Sequence, residues 1–502
     1  MLVSTDSRTI FEKSRPGRRG AIFPQKKCLN ESALQKLPEN LKRKSTLKFP
    51  ELSEPEVVRH YVSLSKKNFS IDTQFYPLGS CTMKYNPKVN EKVAAMESFA
   101  GLHPLQPAET AQGILSIYYE LEEYLKEIAG MDRFTLQPAA GAHGELTGIM
   151  LVRAYHEANG QTQRNKVLVP DSSHGTNPAS AALFGYHVVE LKTNARGRVD
   201  IDSLKENLGN DTACLMLTNP NTLGLFEEDI LQIKDLVHKA GGLLYYDGAN
   251  LNPLLGIARP GDMGFDIVHI NLHKTFSTPH GGGGPGSGPV GVKERLIPFL
   301  PLPLVDKSPE GKFYFLESHP QSIGRVKSFY GNMGMILRAY TYIRSLGLEG
   351  IKKTSEGAIL NANYLKEALK KYFPIAIDEP CMHEFVLSVK HMKAKGIHAG
   401  DIGKRLLELG FHAPTVHFPL VVEESLMIEP TESESKETLD LFIEAMKTIA
   451  RELEEDPQSV LQAPRNLPIT RPDEVGAARK PILTYRELAR EKILTSEGLT
   501  VS

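Results

Sequence analysis

Lys274 stands in the run Asn271-Leu272-His273-Lys274-Thr275-Phe276, just past a short apolar segment and just before the glycine-rich stretch 280–286. Partial desolvation lowers an ammonium pKa, so a lysine among neutral polar groups at a strand end can act as an amine nucleophile toward a carbonyl. Taken alone, it reads first as an ordinary loop lysine. The context 27 positions upstream changes that, because the apolar run 243–246 leads into Asp247-Gly248-Ala249-Asn250. A carboxylate at the carboxyl end of a strand can pair with a pyridinium nitrogen and keep it protonated, and the small Ala249 leaves room for a flat ring. An Asp and a Lys on neighbouring strand ends are what pyridoxal phosphate requires.

Three further groups extend this chemistry. Ala140-Gly141-Ala142-His143-Gly144 opens a helix, where exposed N–H groups and the helix dipole make a phosphate cradle. Asp171-Ser172-Ser173-His174-Gly175-Thr176-Asn177 follows an apolar strand and sets His174 where it could stack on a cofactor ring. Thr218-Asn219-Pro220-Asn221-Thr222-Leu223-Gly224 follows another strand and offers hydrogen-bond donors toward a phenolic oxygen.

The elements that must hold these groups are legible in the patterning. An apolar stripe through Ile114, Ile117, Tyr118, Leu121, Tyr124, Leu125 and Ile128 predicts a helix over 114–128. A helix over 143–158 follows, then strands at 167–169, 187–191 and 214–217, a helix at 230–239, and strands at 243–246 and 267–270. These strands are continuously apolar rather than alternating, which implies a parallel sheet covered on both faces. Ligands bind such sheets at the carboxyl ends of the strands, and the polar clusters fall there. Beyond a helix at 331–346, a helix at 359–372, a strand at 384–389 and a helix at 401–409 predict a smaller α+β domain. The expected division is an extended arm over 1–110, a large cofactor domain over 111–345, a small domain over 346–460 and a proline-rich tail over 461–502.

The chain resembles the P-protein of the glycine cleavage system (glycine decarboxylase), a fold type I pyridoxal phosphate enzyme. The resemblance rests on Tyr76-Pro77-Leu78-Gly79-Ser80-Cys81-Thr82-Met83-Lys84, on Ser173-His174-Gly175-Thr176-Asn177-Pro178-Ala179-Ser180, and on His273-Lys274-Thr275-Phe276 with its glycine loop. It covers most of the chain and matches the C-terminal, cofactor-bearing half of the family's longer members, encoded separately as subunit 2. It implies a mostly parallel seven-stranded sheet with a smaller C-terminal α+β domain. It implies decarboxylation of glycine, with transfer of the aminomethyl group to the lipoyl arm of the H-protein. It further implies that Lys274 carries pyridoxal 5'-phosphate covalently, that Asp247 pairs with the ring nitrogen and that His174 stacks opposite Ala249. Gly141 and Ala142 would serve the phosphate, with Thr222 and His273 as close neighbours. A companion subunit 1 would complete the site in an α2β2 assembly. Two positions depart from the family pattern: Ala140 stands where many relatives have Ser, and Ser277 where some have Cys, which removes thiol-based control through that residue. Cys81 and His103 lie in family-like segments and receive no role.

Composition narrows the alternatives. With 502 residues, about two to three domains are expected. Lys plus Arg number 59 against 60 Asp plus Glu, so the chain lacks the cationic excess of a nucleic-acid or anionic-membrane binder. The four cysteines are scattered without a C-x-x-C pair, which fits a reducing cytoplasm rather than a disulfide framework or thiolate zinc site. No segment has the roughly 18 apolar residues that a membrane helix needs. The N-terminus, with Asp6 and Glu12, is not a secretory signal, and Arg15, Arg18 and Arg19 with Ser7 and Ser14 read as part of an arm rather than a transit peptide. Gly281-x-Gly283-x-x-Gly286 spells a dinucleotide fingerprint but does not join a first strand to a helix. His269 and His273 lie on a strand and its end, not on one helical face, so no metal is expected. The competing reading is another fold type I enzyme, an aminotransferase or amino-acid decarboxylase.

Overall fold

The computed structural model describes residues 8–20, 35–45, 47–281 and 286–496, with side chains as far as Glu491. Asp6, Ser7, Cys28 and most of the glycine run after His280 lie outside the described residues. Two compact units are formed, one by residues 1–70 with 464–502 and the other by residues 71–463. In the first, Thr9 and Glu12 form a capping box on the Ile10–Lys13 helix, and the Phe11 ring stacks on that of Tyr485 at 4.6 Å.

The second unit is built on a seven-stranded sheet: β1 (Arg133–Thr135), β2 (Lys166–Pro170), β3 (His187–Leu191), β4 (Thr212–Thr218), β5 (Leu243–Gly248), β6 (Ile267–Ile270) and β7 (Val290–Val292). The spatial order is β1-β7-β6-β5-β4-β2-β3, and only β7 runs antiparallel to its neighbours. All residues of β4, β5 and β6 are buried. Their side chains divide by alternation: Leu215, Leu217, Leu244, Tyr246 and Val268 pack into one core, and Cys214, Met216, Leu243, Tyr245 and Ile267 into another. That two-sided burial is why the strands read as unbroken apolar runs. Full burial of each such side chain is worth about 1.5–3 kcal/mol.

Helices cover both faces. Gln112–Ala129 follows the expected stripe and ends where Gly130 turns left-handed at φ 68°. Gly141–Ala158 lies close against the sheet, because a Cβ on Gly148 would come 2.2 Å from the Tyr245 ring. Two helices stand where two were expected, but Met333–Leu369 is broken only at Gly347, at φ 63° and ψ −177°, so the second begins at 348 rather than 359. Residues 348–358 were not legible as helix because their buried face, Ile351, Thr354, Ser355 and Ala358, is half polar. Lys352–Glu356 and Lys353–Glu349 are i,i+4 pairs there rather than an apolar stripe.

After this helix the chain forms an antiparallel sheet of β10 (Phe385–Ser388), β12 (Ser425–Ile428) and β11 (Thr415–Val416). Its core holds Phe373, Phe385, Leu426, Phe442 and Met446 together with Phe75 from much earlier in the chain. Leu78 bridges to Ile428, so segment 75–84 lies along β12. Between the two sheets, β8 (Leu304–Lys307) and β9 (Phe313–Leu316) make a hairpin. No helix among the described residues is long and apolar enough to cross a membrane.

Candidate active site

Sheet register puts the polar ends of the central strands in one row: Thr218 pairs with Asp247, and Asp247 with His269. Lys274 follows within the short helical turn Leu272–Thr275. These carboxyl ends open into a cavity of about 260 Å³. The residues expected from sequence meet there: Gly141, Ala142, His174, Thr222, Asp247, Ala249, His273 and Lys274 all line it. Ser80, Ala140, Glu145, Thr176, Thr218, Asn250 and Asn271 complete the wall.

One end of the cavity is the N-terminus of helix Gly141–Ala158. Ala140 sits at its N-cap and has no side chain to cap it, so first-turn N–H groups remain available to a ligand. Any Cβ at Gly141 would come 2.5 Å from Asn271 Oδ1, so only glycine leaves this backbone open. Free N–H groups and the dipole at this point favour an anion.

The floor is Asp247. Burial opposes its charge, but His269 at 3.3 Å, the Ala249 N–H at 2.9 Å and the Asn177 amide at 3.1 Å outweigh that and bring the carboxyl below its ordinary range. His269 is itself fully buried, and burial lowers its pKa, so it acts through a neutral ring. The Tyr245 hydroxyl lies 2.7 Å from its Nδ1; donated there, it turns an Nε2–H toward Asp247.

The amine and its surroundings come from distant parts of the chain. Lys274 Nζ donates to the Ser80 carbonyl at 2.8 Å. His174 is held by Thr176 Oγ1 at 2.8 Å from its Nδ1, and its ring meets Phe418 edge-on at 5.8 Å. Burial, then the Lys274 charge, lowers the His174 pKa. His273 is pushed down to about 3 by burial and by His280, whose ring lies edge-on at 5.4 Å. All three rings are therefore neutral at pH 7.

One expectation needs correction. The Thr222 hydroxyl is already committed, donating to the Ser172 carbonyl at 2.5 Å, so it faces the cavity as an acceptor. The uncommitted hydroxyl from this segment is Thr218 Oγ1, which is buried without a partner. Sequence reasoning also missed Glu145, one turn inside the cradle helix. Burial, then Asp247, raises its carboxyl to about 8. Its type gave no signal, since a carboxylate near a helix N-terminus is ordinary. His269 was read only against a metal site and is in fact the partner of Asp247. Ser80 left no local signal, since it lies 194 residues from Lys274.

Thr218 Oγ1, Asn271 Oδ1 and His273 Nδ1 are buried in the cavity wall without a partner among the described residues. Buried polar atoms are normally satisfied, so these fit a polar ligand. An anion-binding helix end, an ionised carboxylate and a primary amine at separate points of one cavity fit the phosphate, ring nitrogen and aldehyde of pyridoxal phosphate.

Comparison with known proteins bears on the fold and the family. Residues 146–284 match the family model described as aminotransferase class-V, and residues 354–472 match that of the glycine dehydrogenase C-terminal domain. The solved glycine decarboxylase (P-protein) of the glycine cleavage system, in inhibitor-bound form, superposes with a TM-score of 0.71 over 84% of this chain and 95% of that one, at 24% identity. The architecture is thus that of fold type I pyridoxal phosphate enzymes. Two curated relatives bear the name probable glycine dehydrogenase (decarboxylating) subunit 2. That of Caldanaerobacter subterraneus subsp. tengcongensis is 56% identical over 95% of this chain and 98% of its own length. That of Halalkalibacterium halodurans is 58% identical over 97% and 100%. The chain belongs to the glycine dehydrogenase (decarboxylating) subunit 2 family.

Proposed function

We propose that this chain is the cofactor-bearing subunit of a glycine decarboxylase, releasing CO2 from glycine and passing the aminomethyl group to the lipoyl arm of an H-protein. Across the whole reaction the glycine Cα–carboxylate bond and the lipoyl S–S bond break, and a C–S bond forms. The disulfide is thereby reduced. Pyridoxal phosphate, when bound, supplies the electron sink that takes up the pair left on the α-carbon. Lys274 Nζ is the residue to hold its aldehyde carbon, and Asp247 the one to keep a proton on its ring nitrogen. The first-turn N–H groups of Gly141 and Ala142 bind the phosphate. His174 and Ala249 bracket the ring, and Thr222 and His273 are its neighbours.

The observation that carries this reading is the cavity itself. It gathers Lys274 and Asp247 on adjacent strand ends, and no arginine is among its described lining residues. An aminotransferase normally clamps the substrate carboxylate with arginine. A decarboxylase gains from holding that group with neutral donors, and His174, His273 and His280 all have pKa values lowered by burial.

Family membership as a subunit 2 implies a partner subunit, and we propose a homologous subunit 1 in an α2β2 assembly. The described cysteines Cys81, Cys214 and Cys381 are free thiols, which supports placement in the reducing cytoplasm. The test is exchange of labelled CO2 into glycine by the chain co-expressed with subunit 1, with lipoylated H-protein added. Exchange that requires glycine, both subunits and the lipoyl arm is expected. Transamination of larger amino acids without exchange would favour the aminotransferase reading.

A further inference from the structure

A second group of buried ionisable side chains lies behind the Lys274 amine, outside the residues that line the cavity. His383, Glu384 and Glu429 are all fully buried. Phe385 of β10 pairs with Ile428 of β12, so Glu384 and Glu429 leave the two strands at opposed positions. Like charges placed directly across a ladder repel, yet no lysine or arginine forms an ion pair with either carboxylate among the described residues. Besides each other and His383, the charged or titratable groups that interact with them are Lys274, Glu432, Cys81 and Cys381.

What the two carboxylates do hold is the turn that carries Ser80. The Ser80 N–H donates to Glu384 Oε2 at 2.7 Å. The Thr82 N–H and hydroxyl donate to Glu429 at 2.8 and 2.6 Å. Ser80 and Thr82 are both left-handed, at φ 60° and 47°, a conformation that non-glycine residues keep only when their surroundings impose it. The carbonyl of that same Ser80 receives the Lys274 amine.

His383 supplies an independent observation. Neither of its ring nitrogens has a hydrogen-bond partner among the described residues, and Nε2 lies 3.7 Å from Glu384 Oε1 and 4.0 Å from Glu429 Oε1. These separations exceed the roughly 3.3 Å between two ligands of a tetrahedral zinc. Both oxygens of Glu429 are also occupied by Thr82. A tetrahedral zinc does not fit.

We propose that Glu384 and Glu429 are positioning residues that carry one proton between them, on Glu384 toward His383 Nε2, and that this pair clamps the Ser80–Thr82 turn so that its carbonyl fixes the Lys274 amine. The asymmetry follows from the donors. Glu429 receives two strong ones and is the ionised partner, whereas Glu384 Oε1 has only the Asn250 amide at 3.4 Å. Burial, then Glu429, pushes the Glu384 carboxyl well above its ordinary range, and burial takes Glu429 only to about 7. A neutral Glu384 and a neutral His383 also leave the pair with a single charge near Lys274. The inference rests on Lys274 being the cofactor's amine.

The experiment compares Glu384→Gln, Glu384→Ala and Glu429→Gln in the full chain co-expressed with its partner subunit. Glutamine mimics a protonated carboxyl, accepting from Ser80 and donating to His383. Glu384→Gln is therefore expected to capture pyridoxal phosphate, followed by its absorption band, within about threefold of the parent rate. Glu384→Ala and Glu429→Gln are expected to be slower by roughly ten- to a hundredfold, the range for removing one hydrogen bond to a buried charge. If Glu429→Gln does not fold, as judged by circular dichroism, the Gln-against-Ala contrast at 384 carries the test. Isotope-edited infrared spectra of cofactor-free protein supply the second readout. They are recorded in a Glu145→Gln background, and the remaining raised carboxyls outside the pair, Glu122, Glu227 and Glu434, cancel in the difference against the Glu384→Gln variant. A protonated-carboxyl band present in that background and lost on adding Glu384→Gln is expected. Equal slowing by both glutamine variants, no such band, or a stoichiometric divalent metal in the purified parent would overturn the proposal. The infrared arm needs no cofactor, so its failure is distinct from failure of the Lys274 reading.

Discussion

Replacing Asp247 with Asn removes one charge while keeping size and shape, and it tests the electronic role of the cavity floor. In the parent, Asp247 is fully buried and accepts from the Ala249 N–H and the Asn177 amide while His269 faces it at 3.3 Å. An asparagine can still accept from Ala249. Its own NH2 then takes the place of Oδ2 and faces the Asn177 amide, donor against donor, while the flipped amide would face the Ala249 N–H and His269 instead; either way a buried donor is left unsatisfied at about 1–3 kcal/mol. Losing a preorganised charge aimed at the reacting system typically costs about 2.7–4 kcal/mol. The unsatisfied donor weakens ground and transition states alike and so falls on stability; the lost charge alone gives about 2.7–4 kcal/mol, or roughly 10²–10³-fold in the glycine–CO2 exchange rate at equal cofactor occupancy. The assay is exchange of labelled CO2 into glycine, normalised to bound cofactor by absorbance so that weak binding is not mistaken for slow chemistry. Exchange within tenfold of the parent would show that Asp247 is a structural carboxylate and that the electron-sink reasoning fails.

Three further outcomes follow from other residues. Glu145 holds a proton when folded up to about pH 8 and releases it near 4.5 when unfolded, so it destabilises the fold progressively as pH rises through that window. Glu145→Gln should raise the melting temperature of the cofactor-free protein above pH 8 and leave it nearly unchanged near pH 4.5, with a ceiling of about 4–5 kcal/mol; a pH-independent difference would contradict this. Lys84 is buried and donates to Glu432 at 2.8 Å, Asn252 at 2.9 Å and Tyr342 at 3.1 Å. Lys84→Met should cost about 3–5 kcal/mol in denaturant unfolding, partly recovered by adding Glu432→Leu. Gly141→Ala should weaken cofactor binding at least about tenfold in titration, because its Cβ would displace Asn271 at the helix end; unchanged affinity would exclude that terminus as the phosphate site.

The fold was legible where burial is two-sided. Strands β4, β5 and β6 have no solvent face, so their apolar runs announced both their positions and the parallel sheet. The same property ordered the site, since Asp247 and Lys274 close two such runs and so fall on one edge. What could not be read were contacts made by remote chain segments. Ser80 meets Lys274, and Glu384 and Glu429 meet the 80–82 turn, across separations of 194 to 347 residues with no local pattern to announce them. Helical residues 348–358 were missed for a different reason: their buried face, Ile351, Thr354, Ser355 and Ala358, is half polar and carries little apolar periodicity. The Thr222 hydroxyl shows a third limit: residue type announced a donor, but only the fold shows that Ser172 has already taken it.

The central claim is that Lys274 is the amine that holds the cofactor. Borohydride reduction of the loaded protein, followed by peptide mass mapping, tests it most directly. A pyridoxyl group on Lys274 and no label in Lys274→Ala are expected. A pyridoxyl group on any other lysine, or undiminished labelling of Lys274→Ala, would contradict it.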